Sequence, residues 1–229
     1  MRYLITSDLH LGNQFSQCLQ FIEMLQRLND SVTLVLAGDI IDAPGQVLKA
    51  DAKAALDTIQ NRSLAQTVIW IEGNHDEGFR PPGSHNIEFR RSFTIDKRFY
   101  ITHGDSFDHV MPNNRWFVEL FLFFHKLRVR LGADPVHVAD YAKKYKVLYC
   151  VLCRKVMMCA VDYAAYESFD AVVCGHVHFM EDSMHNGIRY INLGAWTELP
   201  CHCLLVDDNS ARLLALEEAF EEAHWFSRV

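Results

Sequence analysis

Leu34-Val35-Leu36-Ala37-Gly38-Asp39-Ile40-Ile41-Asp42 decides how this chain is read. A short apolar, β-branched run bounded by glycine reads as a buried strand, and this one ends abruptly in a carboxylate. The same pattern recurs at Tyr3-Leu4-Ile5-Thr6-Ser7 before Asp8-Leu9-His10, and at Val68-Ile69-Trp70-Ile71 before Gly73-Asn74-His75-Asp76. It appears again at Phe99-Tyr100-Ile101-Thr102 before His103-Gly104-Asp105, and at Ala171-Val172-Val173-Cys174 before Gly175-His176-Val177-His178. Each polar residue then sits just past a strand's C-terminal end, the edge at which open α/β sheets build their sites. Tips gathered at one rim would converge on one small volume.

Between these runs the periodicity changes. Asn13 to Leu28 carries helical spacing and Val47 to Gln60 is alanine-rich and reads as helix, so helices alternate with strands and the class is α/β. Asn86 to Ile95 reads as a strand. From Asn114 to Phe169 there is no strand signal; Trp116 to Arg130 and Val136 to Tyr166 read as helix, an insertion at about 114–169 within a single domain, 1–229. The return is β-rich, with strands at Ala171–Cys174, Arg189–Asn192, His202–Val206 and Arg212–Leu216, the last two joined by a turn at Asp208-Asn209.

Composition bounds the function. The chain has 229 residues, 50% hydrophobic and 22% charged, enough for a substantial core. A net charge of −7 argues against a long nucleic-acid partner, which wants a basic face. The seven cysteines are odd in number and scattered, so they read as buried free thiols rather than a disulfide framework; Cys150 and Cys153 form a lone C-x-x-C inside a helical pattern. The first strand begins almost at Met1 and no stretch is long enough to span a bilayer, so the expectation is a cytoplasmic protein.

Asp8, His10, Asp39, Asn74, His103, His176 and His178 are oxygen and imidazole donors, a set suited to manganese, iron or zinc rather than to a cysteine-rich structural site. D-x-H and H-x-H along an extended strand put both side chains on one face. Seven donors are too many for one catalytic ion and fit two sharing a bridge. Two ions about 3.5–4 Å apart can generate a hydroxide nucleophile and clamp a phosphoryl group during in-line displacement. A single buried histidine or aspartate at a strand end is more often a capping residue. Repetition at five tips is hard to obtain from packing alone, because each uncompensated polar group would carry a desolvation cost.

Asp8-Leu9-His10, Gly38-Asp39-Ile40-Ile41-Asp42, Gly73-Asn74-His75-Asp76, His103-Gly104-Asp105 and Gly175-His176-Val177-His178 resemble, in order, the signature blocks of the calcineurin-like metallophosphoesterases. The resemblance implies a four-layer α-β-β-α sandwich with a helical cap. It implies two ions, most readily Mn2+, with Fe or Zn as alternatives: one held by Asp8, His10, Asp39 and His178, the other by Asp39, Asn74, His103 and His176. Asp39 would bridge. His75 would be the acid or transition-state stabiliser, with Asp42 as its orienting partner.

Within that superfamily His103-Gly104-Asp105-Ser106-Phe107-Asp108, the helical insertion and Tyr190-Ile191-Asn192-Leu193-Gly194-Ala195-Trp196-Thr197-Glu198 are similar to the UDP-2,3-diacylglucosamine pyrophosphohydrolases of lipid A synthesis and their relatives. That likeness implies a nucleotide-linked, acylated sugar as substrate, an insertion that houses acyl chains, and peripheral contact with the inner membrane. Arg80, Arg154 and Lys155 are the basic residues expected to meet phosphate. The chain departs from the pattern at His75, where the best-known members carry Arg, and at Ala195, where many relatives carry Asp. The ligand set survives these departures; the substrate stays open, with a soluble nucleotide phosphodiester or phosphate ester as the alternative. A metal-poor scaffold of the same fold is the alternative of another class, disfavoured because such proteins lose ligands.

Overall fold

The computed structural model describes residues 1–83, 86–109, 123, 125–136 and 138–227. Its strands are β1 (Tyr3–Thr6), β2 (Thr33–Ala37), β3 (Val68–Ile71), β4 (Ile87–Arg90), β5 (Ser92–Ile95), β6 (Phe99–Thr102), β7 (Ala171–Cys174), β8 (Glu181–His185), β9 (Ile188–Asn192), β10 (His202–Val206) and β11 (Ala211–Ala215). The labelled helices are α1 (Cys18–Arg27), α2 (Ala50–Ala65), α3 (Val138–Lys143) and α4 (Lys146–Tyr166). Residues 125–130 are also helical; most of the expected helix from Trp116 lies outside the described residues.

Two sheets form, as the resemblance to the metallophosphoesterase sandwich implies. A six-stranded sheet runs β11-β10-β1-β2-β3-β4 and a five-stranded sheet β5-β6-β7-β9-β8. β1 to β4 are mutually parallel, as are β6, β7 and β9. The expected single strand over 86–95 is a corner: β4 closes one sheet and β5 opens the other, with Arg91 between them. β8 escapes a hydrophobicity reading because Glu181-Asp182-Ser183-Met184-His185 is an edge strand with no fully buried residue.

Period-2 alternation explains the layering. Leu4, Leu34, Leu36, Val68 and Trp70 pack with α1 and α2, while their neighbours Ile5, Val35, Ala37, Ile69 and Ile71 meet Ile101, Val173 and Ile191 of the second sheet. On that sheet's far side Val172, Cys174 and Tyr190 pack under Met157, Ala160, Val161 and Ala164 of α4. The order is helices, sheet, sheet, helix. All seven cysteines are free; Cys201 and Cys203 share the first core.

α4 does a second thing. Tyr149, Cys153 and Val156 form a small cluster with Val177, against which Phe107 packs, and the Tyr149 hydroxyl donates to Val177 O. Lys143 of α3 pairs with Glu198. The insertion is thereby anchored to the loops beyond β6, β7 and β9.

Candidate metal centre

The C-terminal ends of β1, β2 and β3 in one sheet and of β6 and β7 in the other meet across the sandwich. The loops that leave them are stitched to one another. Asp8 N donates to Gly38 O (3.0 Å), His10 N to Asp39 O (2.9 Å), Gly175 N to His103 O (2.8 Å) and Trp196 N to Asp8 O (3.0 Å). The backbone is left-handed at Asp8 (φ 54°), His10 (48°), Asp39 (54°), His176 (67°) and His178 (52°). Non-glycine residues avoid that region unless their surroundings over-determine it, and such residues cluster at functional sites.

Two glycines make the approach. A Cβ on Gly73 would lie 2.3 Å from Asp39 Oδ1, and one on Gly175 would lie 2.0 Å from Asp8 Oδ2. Only hydrogen fits at either position.

Asp8, His10, Asp39, His103 and His178 are buried, His176 is half-buried, and Asn74 and His75 are exposed on the turn after β3. The group is closed beneath and open towards His75. Donor atoms of Asp8, His10 and His178 lie within 4.8 Å of one another, as do those of His10, Asp39 and His75, and those of Asp39, His103 and His176. Asp39 belongs to two of these groups. Its Oδ2 is 3.2 Å from His103 Nε2 and 3.9 Å from His10 Nε2, while Oδ1 accepts from His75 N at 2.9 Å.

These distances fit a cation. His10 Nε2 and His178 Nε2 face each other at 3.1 Å, with Asp8 Oδ1 at 3.2 Å from the latter and 3.9 Å from the former. Ligands each about 2.0–2.2 Å from one ion would have such spacings. Buried His103 Nε2 faces the Asp39 carboxylate, 3.2 Å from Oδ2. The far ring nitrogens are held: His10 Nδ1 by Asp42 Oδ1 (3.2 Å), His103 Nδ1 by Ala37 O (3.1 Å) and His176 Nε2 by Asp108 Oδ2 (3.0 Å). Ligating histidines are characteristically oriented this way.

Electrostatics point the same way. Burial pushes the Asp8 carboxyl up, but the His178 hydrogen bond and charge, and then His103, bring it below the ordinary value. Burial also raises Asp39, and His103, His10 and His75 together hold it well below the carboxylate range. Burial lowers His103, yet Asp39 and then Asp8 lift it to about 10. His178 is lowered, because burial outweighs its bond to Asp8. Both carboxylates are therefore ionised and available as ligands.

Asp42 acts differently from a direct carboxylate partner of His75. Its carboxylate serves His10 and Asn13, and its carbonyl accepts from His75 Nδ1 at 2.7 Å. Arg80 is bound to Glu72 (2.8 Å) and lies over the Phe89 ring, and Arg154 and Lys155 lie on the exposed face of α4. None of these three basic residues belongs to the donor groups.

Two buried acids within the motifs, Asp76 and Asp108, fasten the loops and ligands. Asp76 accepts from Ile40 N (2.8 Å), Gly73 N (2.7 Å) and Trp70 Nε1 (3.1 Å), fastening the loop after β3 to the loop after β2. Asp108 holds His176. Proximity to a ligand block was the only available signal for either.

A sequence model described as calcineurin-like phosphoesterase matches residues 1–180. No curated protein matches the chain significantly. Among solved structures, Yfce, a phosphoesterase from E. coli, is 14% identical, with 95% of this chain and 94% of that chain covered at a TM-score of 0.46. A predicted phosphoesterase from Streptococcus pneumoniae TIGR4 is 16% identical over 94% and 90% at 0.44. Chaetomium thermophilum Vps29 is 12% identical over 93% and 86% at 0.49.

Proposed function

The chain belongs to the calcineurin-like phosphoesterase family, whose members are metal-dependent hydrolases, and from that premise we propose a two-ion phosphoester or diphosphate hydrolase. One ion would take Asp8, His10, Asp39 and His178. The other would take Asp39, Asn74, His103 and His176. The observation that carries this reading is the convergence of buried Asp8 and Asp39 with facing imidazole nitrogens at the ends of two sheets. Bound there, divalent manganese, iron or zinc would supply Lewis acidity and lower the pKa of a water.

The chain's own groups have distinct tasks. Asp39 presents one oxygen between the two sets of histidines and uses the other to fix the backbone of His75. His75 stands exposed at the mouth, its Nδ1–H committed to Asp42 O. Its Nε2 is left for a phosphoryl oxygen or the leaving group, and the doubly protonated ring could donate there as negative charge builds. Asp42 keeps both His10 and His75 in register.

The substrate reading is a phosphate joined to an apolar group, such as UDP-2,3-diacylglucosamine or a related nucleotide-linked lipid or sugar. What supports it is exposed apolar side chains at two places. Phe179 and Met180, directly after His178, are exposed, and so are Val147, Val151 and Met158 on the face of α4 opposite Tyr149, Cys153 and Val156. That outer face of α4 would suit peripheral contact with a membrane; among the described residues no helix is long and apolar enough to cross one.

The test compares manganese-loaded protein on an aryl phosphodiester and on UDP-diacylglucosamine, before and after chelation. Metal-dependent turnover lost in Asp39→Ala is expected, with preference for the acylated substrate. Turnover of the aryl ester and indifference to acyl chains would favour a soluble nucleotide. Asp39→Ala turning over at the wild-type rate would overturn the site.

A further inference from the structure

We infer that Asp108 is a positioning residue that fixes the tautomer and orientation of His176, and through it sets the affinity of one of the two ions. The inference rests on the two-ion reading. Asp108 is 3% exposed, and its Oδ2 lies 3.0 Å from His176 Nε2. A carboxylate can only accept there, so the proton of the neutral imidazole resides on Nε2 and the lone pair is on Nδ1. That nitrogen is the one left for the group formed with Asp39 and His103.

The placement of Asp108 is built by three elements. His103, just past β6, opens the segment, and Gly104 turns it in the left-handed region (φ 111°). A single 3-10 turn, Asp105–Phe107, follows, and Asp108 N closes it on Asp105 O. Phe107 packs against the Tyr149, Cys153, Val156 and Val177 cluster, so α4 of the insertion holds both the turn and the His176–His178 loop. His176 itself is held at φ 67° with its N–H shared between both Asp8 carboxylate oxygens at 3.2 Å. One stretch of six residues thus supplies a ligand, His103, and the holder of another, His176.

The charge has a purpose beyond geometry. An anionic partner raises the basicity of the ligating nitrogen, and removing such a partner characteristically costs about 10–100-fold in metal affinity. His10 has the matching arrangement with Asp42, whereas His103 is held by a neutral carbonyl.

The experiment is calorimetric titration of Mn2+ into ion-free wild type, Asp108→Asn, Asp108→Glu and His176→Ala, with bound metal counted by elemental analysis. Wild type binds two ions. Asp108→Asn, which retains an acceptor but not the charge, should leave one affinity unchanged and weaken the other about 10–100-fold. Asp108→Glu should recover part of the loss. Combining Asp108→Asn with His176→Ala should add nothing to His176→Ala alone, because the acid acts through the ring. Two unchanged affinities in Asp108→Asn would overturn the inference. So would equal loss of both ions together with a lower melting temperature of the ion-free protein, the mark of a merely structural role. If Asp108→Asn fails to fold, a folded Asp108→Glu with both wild-type affinities supports the role of the charge, and one that loses both ions equally overturns it. Fewer than two ions on wild type would instead overturn the two-ion reading.

Discussion

At Gly175 a single methyl group separates a site from none. The alanine Cβ would have to lie 2.0 Å from Asp8 Oδ2 and 2.4 Å from Ser7 Oγ, so either the carboxylate or the loop must move. Gly175→Ala should lose about 1–3 kcal/mol of stability by overpacking, together with manganese binding. Urea unfolding and calorimetry read both, and an alanine variant with wild-type affinity would show that the loop is not held as described. His103 gives the pH dependence. Burial lowers it, but Asp39 lifts it to about 10, above the 6.5 of an unperturbed imidazole. In the ion-free protein its proton therefore contributes stability in full below about pH 6.5, and that contribution is lost as pH rises through about 10. An ion on the same nitrogen must expel the proton. Manganese affinity should then rise with pH, and apparent binding enthalpies should differ between buffers of different ionisation heat; equal enthalpies would mean no proton is displaced. The donors were legible one by one, since Asp, His and Asn after glycine-bounded strands have few other reasons to recur. Asp108 and Asp76 were not, because an acid that orients a ligand has no spacing rule of its own.

At the scale of elements, the loops matter more than the strands that carry them. Asp76 joins the loops after β2 and β3 with both carboxylate oxygens and takes three donors, one of them the buried Trp70 indole. Asp76→Ala should strand those donors and cost about 3 kcal/mol or more, read as a shift in the urea midpoint. A loss below about 1 kcal/mol would mean water replaces the acid easily. Tyr149→Phe tests the tie from α4 to the ligand loop: it should cost about 1 kcal/mol and loosen the His176 side selectively. Unchanged stability and affinity in that variant would cut the insertion out of the account. The strands that end at the site were readable from their apolar runs, α1 from its spacing and α2 from its alanine-rich stretch, while the expected helix over 136–166 is two, α3 and α4, broken at residues 144–145. The corner at Arg91 was not, because β4 and β5 together look like one longer strand until their partners are known. Neither was β8, whose polar alternation matches an exposed loop as well as a sheet edge.

For the whole molecule, the sandwich itself is the mechanism of convergence. Alternating residues of β1, β2 and β3 face α1 and α2 on one side and the second sheet on the other. That packing brings the end of β2, with Asp39, against the end of β6, with His103, although 64 residues of sequence separate them. Periodicity pointed only to an α/β class; the division into two sheets was legible through the resemblance of the ordered blocks, since local pattern does not say which strands are neighbours. An ion set between the sheets should stabilise them together. At 100 times the dissociation constant the gain would be about 2.7 kcal/mol per site, and chelation should lower the melting temperature accordingly. A melting curve indifferent to chelator would argue that the two sheets' ends share no ion.

Anomalous diffraction from crystals grown with Mn2+ tests the central claim most directly. Two peaks about 3.5–4 Å apart, with Asp39 between them and His176 and His178 on opposite ions, are the expected result. A single peak, or none among Asp8, Asp39 and His103, would contradict it.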